Sequence, residues 1–562
     1  MMLRSIQDID LSPKPNKTYW ANCDREWREE FIYFLLIDRF HDDHARTPSP
    51  HAKKRSGFGN ADQLQTFCGG TIRGITKHLD YIHDLGCTAL WLSPLFENNE
   101  AAYHGYAIQN YLEVDKRFGT KEDLAELVDK AHAMNMRVFL DIVLHHSGDN
   151  WFYKDDMEPG YYNGNVYPFG GWRFEDRPLP VELRDTEVYW KKGRIRNFDT
   201  YPETREGDFF GLKSFKNDES PEAKYVQDIL TKIHCYWIRE TDIDGFRLDA
   251  VKHMGEKNIG QFCSLLREYA YRLGKKNFFL FGELVGSEEL YNKYIGPKTS
   301  IEVEDKAIYY GLNSVLDFPL YYVLANVIKG HATPEKLIER YESLRRNAMA
   351  RGEFGEFLVT FLDNHDQVGQ GIKRRFGKDA TDGQIIAGVG FLLCALGTPC
   401  IYYGTEQGFD GAGEGDWNIR EAMFDLSDNT TNALNKENGI YQEIAKIAAI
   451  RKKSSVLKFG RMYIRKLSRD GKDFHLPVYA DSLIAFSRML YDEECVVAYN
   501  HSLEHEVEQY VTVDKYFNRE GCSFHYLYGG KGEVHMLKSE DNDRNFIKVK
   551  LQPSQFVILT NR

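Results

Sequence analysis

Eight short apolar runs, each followed by a longer stretch with helical periodicity, constrain this chain more than any other feature of it. The runs are FIYFLLI (31–37), CTALWL (87–92), VFLDIVL (138–144), IDGFRL (243–248), FFLFG (278–282), SVLDF (314–318), FLVTFL (357–362) and PCIYY (399–403). Apolar runs alternating with amphipathic helices are the signature of βαβ units and a parallel sheet. Two of the helices are readable in detail. Thr120, with Asp123 three residues later, forms a capping box, and Leu124, Leu127, Val128 and Ala131 share one face behind it. Ser220-Pro221 opens another helix, with Val226, Ile229, Leu230, Ile233 and Trp237 on its apolar stripe. Eight such repeats predict an α/β fold, a (β/α)8 TIM barrel with its chemistry at the C-terminal ends of the strands. A doubly wound open sheet is the architectural alternative.

The alternation breaks twice. Residues 147–219 lie between the third strand and its helix, too long a stretch for an ordinary loop. They are rich in Gly and in rings, among them Trp151, Phe152, Tyr153, Tyr161, Tyr162, Trp172, Tyr189, Trp190, Phe209 and Phe210. We expect an inserted subdomain overhanging the barrel mouth, with part of its rings spent on its own core. After the helical pattern ending near Arg451, strand-like runs (SLIAFSRML, CVVAYN, FVILT) predict a C-terminal all-β domain, a β-sandwich. The expected organisation is barrel over 1–146 and 220–456, insertion over 147–219 and β-domain over 457–562.

A net charge of −12 argues against nucleic acid or an anionic membrane as the main partner. No apolar run approaches the ~20 residues of a membrane span. The N-terminal MMLRSIQDIDLSPKPNK has no apolar signal region. Nine scattered cysteines without a CxxC spacing suit buried free thiols in a reducing compartment, so a cytoplasmic location is expected; export with a removed leader is the alternative.

Four acidic-centred segments fall where barrel strands end: DIVLHH (141–146), GFRLDAVKH (245–253), FGELV (281–285) and FLDNHD (361–366). A lone carboxylate there is usually a cap or an ion-pair partner. Several converging on one pocket supply what glycoside hydrolysis needs, two carboxyl groups in different protonation states. Arg247, two residues before Asp249, shares its face of the strand and favours the ionised form a nucleophile requires. Glu283 stands in an apolar run, where burial raises a carboxyl pKa towards general-acid work.

Together these segments resemble the four signature regions of the α-amylase family (glycoside hydrolase family 13), over about residues 30–455. The resemblance implies Asp249 as nucleophile, Glu283 as acid/base and Asp366 as the residue stabilising the transition state. It implies His104, Tyr106, His146, Arg247 and His365 in the −1 subsite, the first two from AYHGY. Lys252 and His253 match a Lys-His pair at the +2 side. GEGDWNIREA resembles a segment whose Asp416 and Arg420 hold the −3 sugar. The implied partner is an α-1,4-glucan or maltooligosaccharide.

Two departures stand out. The family's first region usually carries, before its His, an Asn that ligates a structural calcium; His145 stands there instead, and imidazole is a poor ligand for a hard cation. No metal site and no required cofactor are therefore expected. A Ca²⁺ near Asp38, Asp42 and Asp43 in DRFHDDH is the alternative, and a solvated acidic turn its ordinary reading. The aromatic that often follows the HGY tyrosine is Ala107, and a fifth family region is only faintly visible in GLKSF (211–215). Three functions follow: retaining hydrolysis of α-glucans, glucanotransfer through the same glycosyl-enzyme, and a non-catalytic glycan-binding relative, whose expected mark is a lost carboxylate. All three carboxylates are present.

Overall fold

The computed structural model describes residues 3–21, 24–48, 56–299, 308–351, 357–367, 370–539 and 543–562. All eight apolar runs form strands of one parallel sheet: β1 (Ile32–Leu35), β2 (Ala89–Leu92), β3 (Arg137–Ile142), β4 (Gly245–Leu248), β5 (Phe279–Gly282), β6 (Ser314–Val315), β7 (Val359–Thr360) and β8 (Thr398–Tyr402). Their hydrogen-bonded order is β6-β5-β4-β3-β2-β1-β8-β7. A parallel bridge between Leu316 and Val359 joins the two ends, so the sheet closes into a barrel. An open doubly wound sheet is excluded.

Each strand is followed by helix: α1 (Ile72–Lys77), α2 (Lys121–Ala133), α3 (Pro221–Thr241), α4 (Glu256–Arg272), α5 (Glu288–Tyr294), α6 (Phe318–Ile328), α7 (Asp382–Cys394) and α8 (Gly439–Lys453). The capping box at Thr120 and the Ser220-Pro221 start are both present, with the expected apolar residues buried. Rings fill the barrel interior. Trp27 stacks on Phe279 at 4.1 Å across its floor, and Arg137 lies 3.8 Å over the same indole while paired with Glu30 at 3.1 Å. Above them Phe34 stacks on Trp91 at 3.8 Å. Closing the floor with rings leaves the polar residues at the strands' other ends facing an open mouth.

The insertion after β3 is irregular, as its length requires. Trp151, Tyr153 and Tyr189 are buried within it, whereas Tyr162, Tyr201 and Phe210 are exposed. A two-residue strand in the GLKSF segment, Lys213–Ser214, pairs antiparallel with His146–Ser147 and ties the insertion to the end of β3. The C-terminal unit is antiparallel: nine strands run in one continuous order, and its two halves enclose a second core containing Leu483, Val496, Val511, Ile547 and Leu559. It packs on the helices of the barrel. Arg488 Nη1 donates to the Cys394 carbonyl at 2.7 Å, Tyr499 Oη to the Ile328 carbonyl at 2.9 Å, and Tyr528 Oη to Glu443 at 2.7 Å.

Candidate active site

Parallel register sets the centre of the site. Arg247 on β4 lies opposite Asp141 on β3, and Asp249 and Glu283 follow immediately beyond the ends of β4 and β5. Arg247 is fully buried, and its guanidinium serves three carboxylates. Nη1 donates to Asp141 at 2.8 and 3.0 Å and to Asp249 Oδ1 at 2.8 Å, while Nη2 lies 3.0 Å from Glu283 Oε2. The Ala250 amide also donates to Glu283 Oε2, at 3.2 Å. To do so Ala250 adopts φ +50°, a left-handed conformation costing a residue with a Cβ roughly 1–2 kcal/mol. Asp249 Oδ2 and Glu283 Oε1 are left as the oxygens free of these bonds.

Electrostatics separates these groups. Burial pushes Glu283 up to about 7 and Asp249 up to about 6, outweighing the opposing pull of Arg247 in both. The sequence expectation that Arg247 holds Asp249 ionised is thus met only in part: the contact forms, but low dielectric wins part of the contest. Asp141 is likewise raised by burial to about 7. Asp366 goes the other way. Burial works to raise it, yet His365, 3.1 Å away, and Arg420, 2.6 Å away, hold it well below the usual carboxylate range.

The remaining expected residues assemble around this centre. Tyr106 donates to Asp141 Oδ2 at 2.9 Å and lies 2.8 Å from His365 Nε2, and its amide donates to His104 Nδ1 at 3.0 Å. His146 is buried against Phe209, ring centroids 5.5 Å apart, with Nε2 unpartnered among the described residues. Burial lowers both His104 and His146 to about 3, so each is a neutral imidazole near pH 7. Lys252 is half-buried and paired with Asp199, while His253 is buried with Nδ1 2.6 Å from the Thr204 carbonyl. Asp416 is partly exposed and pairs with Lys373 at 3.3 Å. Arg420 lies 3.5 Å from Asp416, the other residue of its segment. It is buried and turned inward, donating to the His365 carbonyl at 2.8 Å and to the Tyr103 hydroxyl at 3.1 Å as well as to Asp366.

A family model for the alpha-amylase catalytic domain matches residues 34–435, which span every residue of this constellation and all of the barrel sheet but the first two residues of β1. The chain belongs to the alpha-amylase family. An alpha-amylase of Streptomyces lividans is 29% identical over 540 residues, covering 83% of this chain and 54% of that protein. A cyclomaltodextrin glucanotransferase of Klebsiella oxytoca is 28% identical over 427 residues, covering 71% of this chain and 60% of the relative. The chain therefore spans little more than half the length of these curated relatives. Among solved structures, an alpha-amylase from Anoxybacillus superposes with a TM-score of 0.69 at 26% identity, covering 95% of this chain and 98% of that one.

Within the alpha-amylase family the first-region calcium is the group to test against the residues present. His145 is completely buried, with Nδ1 3.3 Å from His146 Nδ1 and Nε2 3.4 Å from the Arg205 carbonyl. The side-chain amide of Asn217 donates to the carbonyls of Arg205, Phe215 and His253 at 3.4, 3.4 and 3.2 Å. Nitrogen atoms thus face carbonyl oxygens that a hard cation would need, while the Asn217 side-chain oxygen is buried with no hydrogen-bond partner among the described residues. The DRFHDDH carboxylates do not converge either. Asp38 accepts the Cys68 and Gly69 amides at 2.9 and 3.0 Å, Asp42 pairs with Arg46 at 2.6 Å, and Asp43 pairs with Lys77. Among the described residues no group of three or more His, Cys, Asp or Glu side chains is arranged to hold a metal.

Of the residues central to this site, Tyr103 was given no role in the sequence, and Asp141 was marked only as the acid of DIVLHH. Asp141 was available as a signal: it is a charged residue inside an apolar strand, in phase with the interior position Phe139. Tyr103 carries no such mark, because only the fold brings it to Arg420.

Proposed function

We propose that this chain is a retaining glycoside hydrolase acting on α-1,4-glucans or maltooligosaccharides. The observation that carries the reading is Arg247, one guanidinium whose two terminal nitrogens hold Asp249 and Glu283. Sharing one planar group keeps two carboxyl groups close, which suits the ~5–5.5 Å of retaining enzymes better than the ~6.5–9.5 Å that admits a water between them. Glu283, pushed up to about 7, carries a proton at neutral pH that Oε1 gives to the glycosidic oxygen as the bond breaks. Asp249, the lower of the pair, attacks the anomeric carbon through Oδ2 and forms a glycosyl ester. Asp366, kept ionised by His365 and Arg420, faces the developing oxocarbenium charge. Glu283, now a carboxylate, takes a proton from water as its oxygen displaces Asp249 from the anomeric carbon.

Interception of the same ester by a sugar hydroxyl gives glucanotransfer, the second reading, supported by likeness to the Klebsiella oxytoca glucanotransferase. A product time course on maltoheptaose tests both. Shorter products alone support hydrolysis, products longer than the substrate establish transfer, and no cleavage contradicts the proposal. No cofactor takes part in this scheme. A cytoplasmic setting accords with the eight described cysteines, all free thiols.

A further inference from the structure

The loop after β7 is basic in a chain whose net charge is −12: Lys373, Arg374, Arg375 and Lys378 crowd into GIKRRFGK. Lys373 serves the catalytic centre, donating to the Asp366 carbonyl at 2.6 Å and pairing with Asp416. The other three line a cleft of about 120 Å³ between this loop and the C-terminal end of α6, where they meet Lys329 and His331. Acid is scarce there. Asp379 is the one carboxylate among the described residues that line the cleft, and it is shared, 3.6 Å from Arg374 and 4.0 Å from Lys378. The buried Arg375 spends its Nε on Glu421 at 2.9 Å and keeps Nη2 without a partner among the described residues.

Lys329 is the cation least provided for. It is half-buried and crosses from α6 to the loop, where Nζ donates to the Lys378 carbonyl at 2.7 Å and lies 5.1 Å over the Phe376 ring. Among the described residues it makes no ion pair. Burial pushes its amine down to about 8, with only the more distant charges of Asp363 and Asp379 acting against it. A merely solvated basic face would leave this ammonium in water. With Arg375 balanced by Glu421, Lys329, Arg374 and Lys378 stand against Asp379 alone, an excess of two positive charges.

We propose that this cleft binds a phosphate dianion, free or carried on a sugar, between Lys329, Arg374 and Lys378. Such a group carries roughly 1.5 to 2 negative charges at neutral pH and three or more acceptor oxygens, which match that excess. The Arg374 fork suits two of those oxygens, and the two ammonium groups act as point charges on the rest. No residue of the catalytic constellation lines the cleft, so the proposal stands apart from the α-glucan reading.

Calorimetric titration of the full chain near neutral pH, with ionic strength held by sodium chloride, compares inorganic phosphate, glucose 6-phosphate and glucose. One saturable phosphate site is expected in the wild type. Lys329→Met and Arg374→Gln should each weaken it roughly tenfold or more, the loss of one charge-assisted contact. Arg374 is exposed, so its variant keeps the test open should Lys329→Met fail to fold. Tighter binding of glucose 6-phosphate, weakened by the same variants, supports a phosphorylated sugar as the ligand; binding no tighter than phosphate supports the free ion. A wild type that binds neither anion, or variants that bind both as the wild type does, would overturn the site.

Discussion

Arg247 and Asp141 face each other in register on neighbouring strands, and the guanidinium donates to both oxygens of that buried carboxylate. Asp141 in turn takes the Tyr106 hydroxyl at 2.9 Å and the Trp91 indole at 3.2 Å, so it fixes three residues of the site at once. Removing one partner of a buried pair strands the other. Asp141→Ala is expected to cost about 3 kcal/mol, the lower end of the usual range because Arg247 keeps Asp249 and Glu283. Denaturant unfolding measures it, and a loss of a few tenths of a kcal/mol would contradict the assignment.

The pH dependence follows from the two raised carboxyls. Asp249 must be ionised and Glu283 protonated. As pH falls through about 6 Asp249 takes up a proton, and as it rises through about 7 Glu283 loses one; either change stops the reaction. A narrow bell in kcat/KM is expected between these values, its limbs belonging to the coupled pair. An acid limb near the ordinary carboxyl value of about 4 would contradict the effect of burial on Asp249.

Arg420 separates positioning from sugar contact. Its bonds go to Asp366, the His365 carbonyl and Tyr103, with Asp416 3.5 Å away, and none of them needs a sugar. Arg420→Lys keeps a charge but loses the planar fork. It is expected to lower kcat about tenfold or more with KM little changed, the pattern of an interaction that matters in the transition state. A rise in KM at constant kcat would instead make Arg420 a −3 sugar contact, as the family resemblance implies.

Metal removal is expected to change little. His145 and the Asn217 amide nitrogen meet the carbonyls of Arg205, Phe215 and His253, contacts that hold the insertion to the barrel. A ligand bound only to the folded state raises its melting temperature by mass action, so a structural ion betrays itself on chelation. Melting curves with excess EDTA should match untreated protein within about 2 °C. A large drop restored by Ca²⁺ would show that oxygen ligands outcompete these donors.

Most of the barrel was legible because burial leaves a trace in every strand: all eight apolar runs became β1–β8, down to the two-residue β6 and β7. Asp249 and Glu283 were legible because each closes such a run, and Asp366 because it follows one in the FLDNHD segment. Less could be read where neighbours decide. Arg420 meets the Tyr103 hydroxyl, 317 residues away in sequence, and Lys213 and Ser214 of GLKSF pair with Ser147 and His146; only the fold brings either set together. Which insertion rings face solvent was equally unreadable, since Trp151 and Phe210 look alike in sequence and differ only by the packing around them.

The central claim is that Asp249 and Glu283 act on opposite sides of one glycosidic bond through a covalent ester. Two displacements at the anomeric carbon return the original configuration, so the stereochemistry of fresh product is the most direct readout. Proton NMR of maltoheptaose during the first minutes of cleavage should show the α-anomer first, with the β-anomer growing only by mutarotation. Initial appearance of the β-anomer would mean a single displacement by water and would contradict the account.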